Sequence, residues 1–213
     1  METYDARLRL ASNICIAGPS QCGKSTLCNK LIKHRNTVFT EKPRQVLYFY
    51  GQVEPSIKLA GVSYKQGLPL ENTDDFKDSL IILDDLMVEI SGNDNILNLF
   101  TRVSHHCNCC IVFLTQNFYF KGMRTASLNY HYLFLFKFIR DKTLIHILAR
   151  QMFPGRTGFL TSAYNDATSQ KYGYLLIDMH PASCDEIRIR SNLFCENELF
   201  MIIYKQPLLI NNE

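Results

Sequence analysis

Runs of consecutive apolar residues alternate along this chain with stretches whose apolar residues recur every three or four positions. The first pattern marks a strand buried on both faces, the second a helix with one buried side. Residues 13–18 (NICIAG) form an apolar run ending in glycine, and GKSTLCNKLIKHR follows with helical spacing. Residues 45–51 (QVLYFYG) predict a second strand, and GVSYKQGLP reads as a loop with room for a short one. Residues 79–85 (SLIILDD) are a continuous apolar strand closing on two acids. In NDNILNLFTRVSHH, Ile96, Leu97, Leu99, Phe100 and Val103 share a helical face, with a cap expected at Asn93 or Asp94. Residues 109–117 (CCIVFLTQN) and the run YHYLFLFKF predict two more strands. DKTLIHILARQMF is an amphipathic helix stopped by Pro154, and TGFLTSAYNDATS predicts another helix. YGYLLIDMH and DEIRIRSNLF then read as a closing pair of strands.

Fully apolar strands separated by helices imply an α/β fold, a mostly parallel central sheet with helices on both faces. There is no internal repeat and no linker, so residues 1–195 are expected to form one domain and residues 196–213 a tail. The tail, ENELFMIIYKQPLLINNE, is apolar enough to dock on the body or on a neighbour.

Composition adds little to this picture and removes some alternatives. A chain of 213 residues, 46% hydrophobic and 20% charged, can bury a substantial core. Its net charge of +3 comes from scattered basic residues, which permits a nucleic-acid partner without arguing for one. The eight cysteines follow a polar start, METYDAR, that is unlike a signal peptide; they are expected to be reduced, in an intracellular and not a secreted protein. No apolar stretch reaches the roughly 18 residues a membrane span needs.

The chemistry concentrates in three places. GPSQCGKST has the spacing of a Walker A phosphate loop and lies between a strand and a helix, as that motif requires. Gly18, Pro19, Ser20, Gln21, Cys22, Gly23, Lys24, Ser25 and Thr26 would wrap the phosphates with backbone N–H groups and the helix N-terminus. Lys24 would reach the β- and γ-phosphates, and Ser25 would ligate Mg²⁺. Asp84, ending its strand, is expected to hold the Mg²⁺ through water. Asp85 is surplus to metal binding and is placed to polarise a water in line with the γ-phosphate. Gln116, at the end of the next strand, can both donate to and accept from that water or the phosphate; Thr115 is a weaker candidate. SHHCNCC lacks the two-residue gaps of a structural zinc site, and Cys109 and Cys110 read better as the start of a strand. Positive charge for the transition state, often supplied by a neighbouring subunit, could come from Arg102, Arg124, Arg140 or Arg150.

With these residues assembled, the chain resembles the viral genome-packaging ATPases of the FtsK–HerA type. It is most similar to the short ones of Polinton-like and adintovirus-type double-stranded DNA viruses, and more distantly to those of poxviruses. The matching stretches are IAGPSQCGKST, VLYFYG, LIILDDLM, LFTRVSHHCNCCIVFLTQN, RTASLNYHYLFLFKFIRDK, LARQMFP and YNDATSQKYGYLLID, spread over residues 13–194. The resemblance implies an additional-strand, catalytic-acid P-loop ATPase using ATP and Mg²⁺, with Lys24 and Ser25 as the loop pair, Asp84 the metal acid, Asp85 the catalytic acid and Gln116 the sensor. It also implies a homo-oligomeric ring of five or six subunits, double-stranded DNA and capsid portal or vertex proteins as partners, and work in an infected cell, in the nucleus or a cytoplasmic assembly site. The chain departs from the family in using Asp85 where many relatives have Glu, and Cys107 where packaging relatives usually carry a basic residue. The spacing before IVFLTQ also differs from that of cellular DNA pumps, so the arginine is not transferred. Two other readings use the same loop: a nucleoside or nucleotide kinase, for which an arginine-rich lid and an acceptor pocket are missing from the sequence, and an ATP-binding module without turnover, which would have no use for Asp85 and Gln116.

Overall fold

A computed structural model describes residues 4–69, 73–90, 98–118, 127–194 and 200–206. Nine strands form one sheet in the order β3-β2-β4-β5-β1-β6-β7-β8-β9. They are β1 Ser12–Ala17, β2 Gln45–Tyr50, β3 Val62–Gln66, β4 Ser79–Asp84, β5 Cys110–Thr115, β6 Tyr132–Phe136, β7 Tyr174–Asp178, β8 Ile189–Ser191 and β9 Ile202–Ile203. Every pairing from β3 across to β6 is parallel, and those from β6 to β9 are antiparallel. The change of direction follows chain connectivity: β6 and β7 are joined through two helices that return the chain to the same end of the sheet.

The apolar runs predicted as strands are buried on both faces, because alternate residues feed two separate cores. On one face Ile14, Ile16, Val46, Tyr48, Leu80, Ile82, Val112 and Phe134 pack under helix α1, Lys24–Lys33, which contributes Leu27, Cys28, Leu31 and Ile32. A short α2, Arg35–Val38, continues that layer. The other face buries Cys15, Phe49, Ile81, Leu83, Phe113 and Leu133. It is covered by α3 (Met87–Ile90), a π-helical segment Leu99–Val103 with its single α-turn α4 (Ser104–His106), α5 (Thr143–Met152) and α6 (Thr157–Ala167). Helices therefore lie on both faces of a mostly parallel sheet.

Four local differences from the sequence reading have identifiable causes. GVSYKQGLP contains a full edge strand, β3, although its burial is only partial and its apolar signal correspondingly weak. The helix expected over NDNILNLFTRVSHH is widened to a π-segment where it is described; Asn13 Nδ2 donates to the Phe100 carbonyl at 2.7 Å, giving that carbonyl a partner outside the helix. The expected cap residues Asn93 and Asp94 lie outside the described residues. DEIRIRSNLF divides into a 3-10 turn, Asp185–Ile187, and the short β8. In the tail, Ile202–Ile203 add an edge strand to β8, and Tyr204 donates its N–H to the Ile189 carbonyl at 2.8 Å.

The seven described cysteines are free thiols, and Cys109 and Cys110 are buried at the entry to β5. Among the described residues, no helix is long and apolar enough to cross a membrane.

Candidate nucleotide site

The phosphate loop leaves β1 at Ala17 and enters α1 at Lys24. Two backbone features shape it. Gly23 sits at φ 111°, in the left-handed region that suits glycine. Gly18 is packed so closely that an added Cβ would lie 2.6 Å from Cys22 Sγ and 2.7 Å from Phe136 Cβ. The loop is thus held between its own cysteine and the last residue of β6. The α1 N-terminus has no side-chain cap, so its first N–H groups stay available to an anion.

Lys24 Nζ donates to the carbonyls of Gly18 at 2.7 Å and Pro19 at 2.9 Å, which holds the ammonium over the loop. Partial burial lowers its pKa, opposed by the nearby Cys22, Asp84 and Asp85. Asp84, the last residue of β4, and Asp85 just past it both act on the loop lysine. That arrangement needs explanation, since consecutive strand residues point to opposite faces. Asp85 stands at φ 54°, a left-handed turn that aspartate tolerates better than most residues, and this ends the alternation. Asp84 is half-buried; desolvation raises its pKa and the Asp85 charge adds to the rise, while the Tyr48 hydrogen bond and Lys24 oppose it. Tyr48 Oη donates to Asp84 Oδ2 at 2.6 Å. Asp85 is exposed.

β5 lies between β4 and β1, so exactly one strand separates the acidic strand from the loop strand.

 The pairing of Ala17 with Thr115 brings the end of β5 beside the loop, and Gly18 donates its N–H to the Thr115 carbonyl at 3.1 Å. Gln116, the next residue, accepts a hydrogen bond from Ser20 Oγ at 3.1 Å. Thr115 is turned the other way: its hydroxyl donates to the Asn117 carbonyl at 2.7 Å, and the side chain is buried. Of the two strand-end side chains, it is the Gln116 amide that touches the loop.

The donor set suits a hard cation. Ser25 offers an exposed hydroxyl in the first turn of α1, and Asp84 offers a carboxylate on the α1 side of the sheet. Mg²⁺ characteristically takes one or two such oxygens and completes its shell from phosphates and water. Thr26 is exposed beside Ser25.

The candidate arginines separate by position. Arg140 follows β6 on the loop whose Lys137 and Ile139 line a cleft beside the phosphate loop. Arg102 belongs to the π-segment, which is tied to Asn13 at the far end of β1. Arg150 is exposed in the last turn of α5. Arg124 lies outside the described residues.

Sequence reasoning missed three contributors. Tyr48 gave no signal beyond an apolar strand. Phe136 contacts both loop glycines, yet nothing in YHYLFLFKF distinguishes it from its neighbours. The third is the turn after α6: with Pro19 to Cys22, residues 168–173 line the cleft, of about 510 Å³. Within that turn Tyr172 packs against Gly23 and carries Lys171 Nζ over its ring at 4.9 Å. Its place next to Gly173, a residue whose Cβ would meet the Ala167 carbonyl at 2.3 Å, is the one local clue to a tight turn there.

Comparison of the fold with solved structures finds viral packaging enzymes. The DNA-packaging ATPase of Sulfolobus Turreted Icosahedral Virus superposes with a TM-score of 0.52 at 11% identity, covering 94% of this chain and 100% of that one. The genome packaging NTPase of Sulfolobus turreted icosahedral virus 2 in complex with ATP-gammaS gives 0.51 at 12% identity, covering 92% and 98%. The same enzyme in complex with AMPPCP gives 0.51 at 13%, covering 93% and 99%. No protein-family model matches the sequence, and no curated protein matches it. What this chain shares with the packaging enzymes is their fold, a mixed α/β architecture built on a large, mostly parallel sheet.

Proposed function

We infer that this chain is a Mg²⁺-dependent ATPase that moves viral double-stranded DNA into a capsid. The observation carrying the reading is what the strand order gathers at one loop: Lys24 held over it, Gln116 joined to it through Ser20, and Asp84 and Asp85 at the end of β4, with only β5 between that strand and β1. The structural neighbours support it, being packaging enzymes, two of them in complex with ATP analogues.

In this reading the loop N–H groups and the α1 N-terminus bind the phosphates, and Lys24 exchanges its two carbonyl partners for phosphate oxygens. Ser25 and Asp84 would hold Mg²⁺, whose charge would offset the negative charge that develops on the phosphates. Asp85 accepts the proton of the attacking water, and Gln116 orients that water with its amide. The cleft flanked by Tyr172 and Ile139 receives the base and ribose, which lets one nucleotide span from β6 to β4. Arg140, the residue after the cleft-lining Ile139, is the one of the described candidates that we assign to serve a neighbouring subunit in a homo-oligomeric ring. Capsid portal or vertex proteins are the expected docking partners, within an infected cell.

The test is steady-state turnover of MgATP by the purified, assembled chain, with and without duplex DNA. The reading expects hydrolysis that duplex DNA stimulates. Nucleotide binding with no turnover under any DNA condition would sink it in favour of a holding module; a phosphorylated nucleoside product would favour a kinase.

A further inference from the structure

We propose that Tyr48 is a positioning residue for the metal-binding acid: its hydroxyl fixes the Asp84 carboxylate in the orientation that receives Mg²⁺. This rests on the reading of Asp84 given above and assigns a task to the β2 strand, which that reading leaves without one.

The geometry begins with register. β2 and β4 are parallel, with Tyr48 opposite Ile82 and Tyr50 opposite Asp84. Tyr48 and Asp84 share the α1 face of the sheet and stand on a diagonal, one strand across and two residues apart. A short side chain could not cover that diagonal; a tyrosine can. Its ring is 2% exposed and packs against Tyr64 of β3, with centroids 5.2 Å apart. The ring is therefore fixed from the outer side of the sheet, and the hydroxyl reaches Asp84 Oδ2 at 2.6 Å. This is a charge-assisted contact from a donor that burial gives few other choices.

Direction matters as much as distance. β2 flanks β4 on the side away from β5 and β1, whereas the phosphate loop and Ser25 approach from the β1 side. Tyr48 thus takes one carboxylate oxygen from behind and holds the group turned toward the loop. A hydrogen bond behind a metal ligand is typically worth about 10–100-fold in metal affinity. Packing alone would not require the hydroxyl, since phenylalanine would fill the same space against Tyr64.

The experiment uses the full chain with Mn²⁺ as the probe ion and AMPPCP as the nucleotide, free Mn²⁺ being read by electron paramagnetic resonance. Tyr48→Phe should weaken Mn²⁺ binding in the presence of AMPPCP about 10–100-fold. AMPPCP binding in EDTA should be unchanged. Tyr64→Phe, which removes a hydroxyl that accepts from the Leu59 N–H at 2.9 Å, should leave Mn²⁺ affinity at the wild-type value. In an Asp84→Asn background, Tyr48→Phe should cause no further loss, because the hydroxyl no longer has the carboxylate to orient. Should Tyr48→Phe fail to fold, Tyr48→Met answers the same question. Wild-type Mn²⁺ affinity in either Tyr48 variant, an equal loss in Tyr64→Phe, or an additive loss in the Asp84→Asn background overturns the proposal. If Asp84→Asn alone leaves Mn²⁺ binding intact, the reading of the site fails and this inference with it; if only Tyr48→Phe is silent, the site reading stands.

Discussion

Gly51→Ala tests whether the position of Asp85 controls turnover. Gly51 follows β2, and its N–H donates to the Asp84 carbonyl at 3.1 Å. A Cβ at residue 51 would lie 2.4 Å from the Asp85 carbonyl oxygen, where real Cβ atoms essentially never come below 3.0 Å, so the two backbones must separate by at least 0.6 Å (3.0 minus 2.4). Neither partner is the flexible end of a side chain, and the strain has to move the turn that carries Asp85. Overpacking of this kind costs about 1–3 kcal/mol. At roughly 2–4 °C per kcal/mol for a domain of this size, the Tm should fall by about 2–12 °C. A misplacement near 1 Å costs on the order of 10²-fold in rate, so kcat should drop roughly ten- to a hundredfold. Nucleotide affinity should hold, because the phosphate loop belongs to β1, which β4 and β5 separate from β2. Thermal unfolding, MgATP turnover and binding of a fluorescent nucleotide analogue measure the three quantities separately. Gly158→Ala is the control: that glycine lies in α6 with nothing within 4 Å of an added Cβ, and the change should stabilise by up to about 1 kcal/mol with kcat intact. A Gly51→Ala protein that loses stability yet keeps full kcat would refute the argument that Asp85 acts from this turn.

Two other substitutions probe separate parts of the molecule. Asp178→Ala leaves the Arg190 guanidinium, fully buried and paired with Asp178 at 3.2 Å, without its counter-charge; the loss should be about 3–5 kcal/mol in denaturant unfolding, while Asp178→Leu with Arg190→Met should recover most of it. Gln116→Ala should lower kcat roughly 10²-fold with little change in nucleotide affinity, since Ser20 is its only described side-chain partner and the loop is otherwise held by Lys24 and Phe136; stopped turnover and equilibrium binding separate the two effects.

The sheet was legible because each of its central strands is an unbroken apolar run, as burial on both faces demands. β3 and β9 were weaker signals for the same reason: both lie at sheet edges and are only partly covered. The strand, glycine-rich loop and helix around Lys24 could be placed from the sequence alone, as the conformation of such a loop is set by a few local residues. What spacing could not supply was the third dimension. Tyr48 reaches Asp84 across a strand pairing, Phe136 meets Gly18 from β6, and Tyr172 reaches Gly23 from a turn nearly 150 residues further along the chain.

 Each of those contacts depends on register or on a distant turn, and an apolar or aromatic residue carries no local mark of it. The π-segment shows the same limit: the periodicity over Leu99, Phe100 and Val103 fits a helix, but nothing in it signals that Asn13 of β1 bonds the Phe100 carbonyl.

Turnover in this site requires Asp85 to activate the water that attacks the terminal phosphate. Asp85→Asn keeps the size and the left-handed turn while removing the base, so the measurement is its MgATP turnover in the assembled chain beside its nucleotide affinity. The expected result is a fall in kcat of at least about 10²-fold with affinity unchanged. An Asp85→Asn protein that hydrolyses ATP at the wild-type rate would contradict it.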